Sequence, residues 1–227
     1  MPFVGLADRV AEVRQRVASA VARGGHKQSV EIVAVTKTYG AEAAQAAWDA
    51  GLRMVGENRV QEALSKMDDV GVPVEWHLIG HLQRNKVKHL DRFALFHALD
   101  SARLADAIQD HARTTGGKYR VLTQVSASGE GSKGGYTLAE LPAEATRLRS
   151  LSGLEVRGAM TMAPLDADKA TLRATFRGCR EALRMLQEAG HDASEVSMGM
   201  SNDYEVAVEE GATLVRLGTI LFGARVP

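Results

Sequence analysis

The chain has 227 residues, 45% of them hydrophobic, and 28 Lys plus Arg balance 28 Asp plus Glu for a formal net charge of zero. These values suit a globular protein with a sizeable core. They argue against a binder of nucleic acid, which carries a clear basic excess. The single cysteine, Cys179, excludes an internal disulfide and a cysteine-based metal cluster, and a reducing, cytoplasmic setting is the economical expectation. The N-terminus MPFVGLADRV lacks the basic-then-apolar order of a secretory signal. The apolar stretch GATLVRLGTILFGARV is interrupted by Arg216, so no membrane span is expected.

In chain order, Leu6, Val10, Val13, Val17 and Val21 step by four, three, four and four residues, which predicts a helix before the first strand. Eight short β-branched or apolar runs follow, at 31–36, 52–56, 74–80, 95–99, 120–126, 154–162, 195–200 and 213–217. Helical spacing fills the intervals at 41–50, 58–70, 82–92, 101–115, 138–151, 167–189 and 203–210, with Ser101 and Ser201 or Asn202 as expected N-caps. Nothing in the composition marks a domain boundary. Regular strand–helix alternation implies parallel strands with crossover helices. Eight units in 227 residues average about 28 each, the size of one βα unit. A single (β/α)8 TIM barrel over 1–227 with an extra N-terminal helix is therefore expected. The alternative, an open doubly wound sheet, more often carries a glycine fingerprint at its first βα turn, where this chain reads VTKTYG.

In such a barrel the chemistry lies where strands end on the C-terminal face. Lys37 follows the first run, Glu57 and Asn58 the second, and His77 to His81 the end of the third. Asp100, Ser126, Thr161 to Pro164, Ser201 and Gly218–Thr219 follow the remaining runs. Lys37 is either a cation that emerges into solvent or a partly desolvated amine able to form a Schiff base with a carbonyl compound. Ser201, at a strand–helix junction, and Gly218–Thr219, after the eighth strand, occupy the loops that commonly hold phosphate in barrels. Read one at a time, they are an N-cap and a turn glycine. Arg216 lies inside an apolar strand and needs a partner. That partner is either an interior carboxylate or an acceptor such as a ring nitrogen. Schiff-base lysine, phosphate cradle and ring-nitrogen cation are together the parts of a pyridoxal 5′-phosphate site.

From VAVTKTYG through GENRVQEA, WHLIGHLQRNK and GAMTMAP to SMGMSNDYEVAVEEGATLVRLGTILFGAR, the chain resembles the pyridoxal phosphate homeostasis protein family. That family is also called the proline synthetase co-transcribed family and is similar to the N-terminal barrel of alanine racemase. The resemblance implies an aldimine on Lys37 and a phosphate held by Ser201, Gly218 and Thr219. It also implies Arg216 facing the pyridine nitrogen, with Asn58 and His77 lining the pocket. An arginine there leaves the nitrogen unprotonated and the ring a weaker electron sink. In QVSASGEGSKGGY two positions depart from the pattern: Ser126 where Asn is frequent, and Gly134 where Ser is frequent.

His77 and His81 lack a third ligand, so no metal site is expected. Arg84, Lys86 and Lys88 read as a solvated helix face, Glu130 and Lys133 as part of a glycine-rich rim loop, and Cys179 as an inert buried thiol. Two functions remain. One is a protein that holds pyridoxal phosphate as a Schiff base and buffers or delivers it, with pyridoxal-phosphate-dependent apo-enzymes as recipients. The other is an amino-acid racemase. Two-base racemisation needs a second acid–base group opposite the lysine. Alanine racemase takes its tyrosine from a partner's further domain, for which this chain leaves no length. None of Tyr39, Tyr119, Tyr136 and Tyr204 stands out as a substitute. The non-catalytic reading is preferred, and a cytoplasmic monomer is expected.

Overall fold

A computed structural model of the protein describes residues 3–127 and 134–223. Glu130 and Lys133 of the glycine-rich loop lie outside the described residues. The strands β1 (Glu31–Val35), β2 (Met54–Glu57), β3 (Glu75–Leu78), β4 (Leu95–Leu99), β5 (Tyr119–Gln124), β6 (Leu154–Met160), β7 (Glu195–Ser197) and β8 (Leu214–Leu217) run in chain order around a closed parallel barrel. All eight expected strands form; six lie within their predicted runs, while β2 extends one residue beyond 52–56 to Glu57 and β5 begins one residue before 120–126 at Tyr119. The barrel closes where Ile32 pairs with Val215 and Val33 with Arg216, which removes any free sheet edge.

The helices α1 (Leu6–Gly24), α2 (Ala41–Asp49), α3 (Val60–Met67), α4 (Ala102–Thr115), α5 (Leu141–Arg149), α6 (Lys169–Glu188), α7 (Tyr204–Glu209) and α8 (Thr219–Phe222) form the outer layer. The expected helix at 82–92 is instead a 3-10 segment, Arg84–Arg92. It keeps Val87 and Leu90 buried and leaves Arg84 and Lys88 in solvent, as the basic face requires. Among the eight helices, only the Asp168 side chain accepts a bond at an N-cap, from Thr171 N at 2.7 Å. Ser101 stands at the N-cap of α4, yet its hydroxyl turns to Asp100 Oδ1 at 3.0 Å. Asp203, not Ser201 or Asn202, occupies the N-cap of α7.

The stripe of Leu6, Val10, Val13, Val17 and Ala20 buries α1 against the barrel, chiefly over α7. Arg23 pairs with Glu205 at 3.0 Å and Glu209 at 2.6 Å, and Arg173 with Glu210 at 2.6 Å. These partly exposed pairs orient the helices and add little stability. No described helix is long and apolar enough to cross a membrane.

Burial is uniform around the ring, with Leu78, Leu99, Leu122, Ile108 and Leu186 almost without exposed surface. Ile108→Ala, on α4 and outside the site described below, is expected to cost about 2–5 kcal/mol through lost burial and the cavity left behind. Urea unfolding of the two proteins measures it, and a loss under about 1 kcal/mol would show that α4 collapses onto the barrel.

Candidate functional site

Strand alternation sorts the residues into two faces. Val33 pairs with Arg216, Val35 with Gly56, and Gly56 with His77, so all of these project to the barrel interior. Thr36 and Glu57 take the opposite face, toward α3.

On that outer face the Glu57 carboxylate is fully buried and accepts from Thr36 Oγ1 at 2.5 Å and Lys66 Nζ at 2.7 Å. Lys66, itself buried on α3, also donates to Thr36 O at 2.9 Å and Glu62 Oε1 at 2.9 Å. The Glu62 carboxylate in turn accepts from the backbone N–H of Thr38, a residue in the left-handed region at φ 71°. Burial raises the Glu57 pKa against the opposing pull of Lys66 and Thr36. These contacts grip both neighbours of Lys37 and bond Tyr39 N back to Thr36 O at 3.1 Å. Lys37, half-buried, stands in that turn beyond the end of β1. No spacing rule singled out Lys66; a lysine at this place on a helix reads as solvated until the barrel closes over it.

On the inner face a second polar set crosses the barrel. His77 Nδ1 lies 2.9 Å from His97 Nε2, and His97 Nδ1 lies 2.9 Å from Ser197 Oγ. Arg216 Nη1 donates to Ser197 Oγ at 2.6 Å and Nη2 to Thr161 O at 2.9 Å. All four side chains are buried. Among the described residues Arg216 makes no ion pair, so the interior carboxylate partner considered above is absent; neutral dipoles hold the cation. Burial lowers the Arg216 pKa to about 10, which leaves it charged at neutral pH. Burial also lowers His77 to about 4 and takes His97 well below its ordinary value.

At the C-terminal rim the loop after β7 turns through Gly199, at φ 91°, where a Cβ would lie 2.6 Å from Ala207 Cβ. The turn brings Ser201 Oγ to the backbone N–H groups of Gly218, 3.4 Å, and Ile220, 3.3 Å. These long bonds converge one hydroxyl and two amides on one point, with Thr219 exposed beside them. Ser201 thus meets the start of α8, not α7 as its N-cap reading implied. A Cβ at Gly218 would lie 3.5 Å from Val35 Cβ, so the cradle adjoins the end of β1 that carries Lys37. Asn58 is exposed at the end of β2 and packs against Gly80, where a Cβ would come within 2.3 Å of Asn58 O.

The other sequence expectations divide. His81 Nδ1 pairs with Asp100 Oδ2 at 2.9 Å on the surface, apart from buried His77, and no metal-holding cluster exists among the described residues. Cys179 is buried, with its pKa raised to about 12, which makes it unreactive. A cleft of about 520 Å3 between Leu90, Phe93, His111 and Tyr119 lies at the N-terminal ends of β4 and β5 and holds none of the expected site residues. His97 and Ser197 were missed; a histidine inside the wholly apolar run LFHAL was the available signal, because a buried imidazole must find partners.

A closed barrel with a lysine after β1, an interior arginine on β8 and an amide cradle at the same rim defines the alanine racemase N-terminal class of barrel. Residues 9–226 match the family described as "Alanine racemase, N-terminal domain". The chain is 39% identical over 222 residues to the pyridoxal phosphate homeostasis protein of Aquifex aeolicus, covering 96% of this chain and 97% of that one. The Escherichia coli K12 protein of the same name is 35% identical over 226 residues, covering 97% of each. PipY of Synechococcus elongatus, solved with PLP bound, superposes with a TM-score of 0.84 at 36% identity, covering 96% of this chain and 100% of that one. Alanine racemase of Corynebacterium glutamicum shares the fold, with a TM-score of 0.76 at 19% identity over 99% of this chain and 62% of that one. The chain belongs to the pyridoxal phosphate homeostasis protein family.

The buried imidazoles give the site a defined pH response. The unfolded chain takes up a proton at each histidine below pH about 6.5, whereas in the folded protein burial holds His77 neutral down to pH about 4 and takes the His97 pKa well below its ordinary value. Folded pKa values below the unfolded ones contribute stability that is complete above pH about 6.5 and is lost as pH falls toward about 4. At about 1.4 kcal/mol per pH unit, His77 accounts for about 2 kcal/mol between pH 7 and pH 5, and His97 adds a loss of the same sign. Urea unfolding at both pH values should show a smaller acid loss in His97→Asn than in the natural protein; equal losses would refute the assignment.

Proposed function

We propose that the protein binds pyridoxal 5′-phosphate and holds it through Lys37, acting in intracellular vitamin B6 homeostasis by buffering or delivering the cofactor. One observation carries the reading. Arg216 is a buried cation held by two neutral acceptors, and the amides of Gly218 and Ile220 that converge on Ser201 Oγ begin two residues beyond it. The names of the curated relatives and the PLP-bound PipY structure support it.

The residues fit such a ligand in chemistry. When bound, pyridoxal phosphate supplies an aldehyde that joins an amine and a ring that withdraws electrons. Lys37 provides the amine, in a turn held by the Glu57–Lys66–Glu62 set. Ser201, Gly218 and Thr219, with the Ile220 N–H, receive the phosphate through a hydroxyl and backbone amides, as loops after the last barrel strands do. Arg216 would face the pyridine nitrogen of such a ligand and, still charged with a pKa of about 10, would keep a proton off it. Asn58 and His77 line the pocket. The protein works in the cytoplasm as a monomer, and its recipients are pyridoxal-phosphate-dependent apo-enzymes.

Turnover is not part of this reading. A racemase needs a second proton-transfer group opposite the lysine. Tyr39 donates to Gly223 O at 3.4 Å, and Tyr136 donates to Glu144 at 2.9 Å with its pKa raised by burial. Tyr119 engages Thr115 at 3.2 Å, and Tyr204 is buried in the core.

Titration with pyridoxal phosphate should turn the protein yellow, and borohydride should then fix the added mass on the peptide containing Lys37. Lys37→Ala should do neither. A natural protein that stays colourless would sink the proposal. Ser201→Ala should weaken binding by about 1.5–3 kcal/mol, or about 10- to 150-fold in Kd, as expected for a lost hydrogen bond to a charged group. Incubated with amino acids in deuterium oxide, the loaded protein should leave the α-hydrogens in place; exchange abolished by Lys37→Ala would make it an enzyme.

A further inference from the structure

Arg216, Ser197, His97 and His77 lie on four strands from opposite walls of the barrel, and their hydrogen bonds have a forced direction. Arginine has no acceptor, so Arg216 Nη1 must donate to Ser197 Oγ. The only other partner of that hydroxyl among the described residues is His97 Nδ1. If His97 donated there instead, the Ser197 proton would be buried without an acceptor, at a cost of about 1–3 kcal/mol. The hydroxyl therefore donates to His97 Nδ1. A neutral His97 then carries its proton on Nε2, 2.9 Å from His77 Nδ1. His77 must accept there and carry its own proton on Nε2.

We propose that Ser197 and His97 are positioning residues. They hold Arg216 without a carboxylate partner, and they form a one-way relay that locks His77 as an Nε2–H donor. Two consequences follow for the pocket assigned above, on which this inference rests for its ligand. The guanidinium keeps its charge and its three remaining N–H groups for the ring nitrogen, because no carboxylate among the described residues forms an ion pair with it and Asp203 acts on it only at longer range. The far end of the relay offers an N–H and never a lone pair, so His77 selects a ligand atom that accepts, such as a phenolate or carbonyl oxygen. A carboxylate in place of Ser197 would end both effects, since it would pair with Arg216 and release the tautomers.

The relay is testable without ligand. In the apo protein labelled with 15N-histidine, long-range 1H–15N correlation spectra at pH 7 should show His77 and His97 neutral, each protonated on Nε2 alone. A His97 protonated on Nδ1, or an imidazolium at either position, would overturn the proposal. Ser197→Ala removes the donor at His97 Nδ1 and should add resonances of the Nδ1–H form, while Ser197→Thr should restore the single tautomer. Single Nε2–H tautomers retained in Ser197→Ala would overturn it as well. Titration with pyridoxal phosphate then separates the two proposals. Ser197→Ala should shift the absorbance maximum of the loaded protein, and Ser197→Thr should return it. If the natural protein stays colourless while the tautomers are as stated, the relay holds and the cofactor reading fails. A coloured protein with the wrong tautomers has the opposite meaning.

Discussion

The site is organised around a guanidinium buried without a counter-ion. Desolvating an ion costs several kcal/mol even after relaxation, and a carboxylate beside Arg216 would offset that cost most directly. The barrel instead offers Ser197 Oγ and Thr161 O, dipoles that stabilise the cation without cancelling its charge. The two histidines of the relay are held neutral by the same burial, so hydrogen-bonded neutral groups surround Arg216 and the Asp203 carboxylate acts on it only at longer range. An acceptor that enters the mouth meets a cation that no ion pair among the described residues neutralises, in a region of low dielectric where such an interaction is strongest.

A second buried cation sits across β1 and is treated in the opposite way. Lys66 is paired with Glu57 and Glu62, so its charge is compensated locally and projects little. What it supplies is rigidity: through Thr36 and Thr38 it fixes the turn that carries Lys37. Thr38 has positive φ without being glycine, a conformation that costs of order 1–3 kcal/mol and persists only where the surroundings impose it. The bond from Thr38 N to Glu62 is that imposition. One cation holds the turn that carries Lys37, and in the proposed reading the other faces the space where the ligand belongs. The strand between them keeps the two fields apart.

The barrel was legible because burial on two sides makes parallel strands read as short apolar runs separated by amphipathic spacing. The same physics hid half of the site. Once a strand is buried on both faces its alternation no longer says which residues point inward, so His97 and Ser197 looked like isolated polar interruptions of LFHAL and EVSMGM. Their meaning depends on the register that sets Arg216 against Val33 and Ser197 against Met160, and register is a property of the closed barrel. Lys66 was unreadable for a related reason, since its environment is made by a strand nine residues earlier in the chain. Lys37 and the Ser201–Gly218 pair were visible because they stand at strand ends, where barrels keep their chemistry, and Arg216 because a charge inside an apolar strand needs a partner. Ser201 was placed correctly but joined to the wrong helix: a cap rule looks forward along the chain, whereas the amides it meets belong to α8.

The arrangement of charge also bears on why holding and transforming a cofactor are separable in this fold. A ring whose nitrogen faces a permanent cation gains no proton there, so it accepts electrons weakly, and proton removal from an attached amino acid depends more heavily on a well-placed second base. Tyr136 is committed to Glu144 and Tyr39 to the aromatic contacts of Phe3 and Phe222. His77 and His97 are withheld from acid–base work by their own relay, because a histidine whose one nitrogen is a fixed acceptor and whose pKa lies far below neutrality cannot take up a proton at physiological pH. Interior groups that could move protons are thereby tied to holding Arg216 in place. Under the proposed assignment, a barrel arranged in this way holds an aldehyde at Lys37 through electrostatics and geometry and offers it no efficient route onward, as a carrier requires.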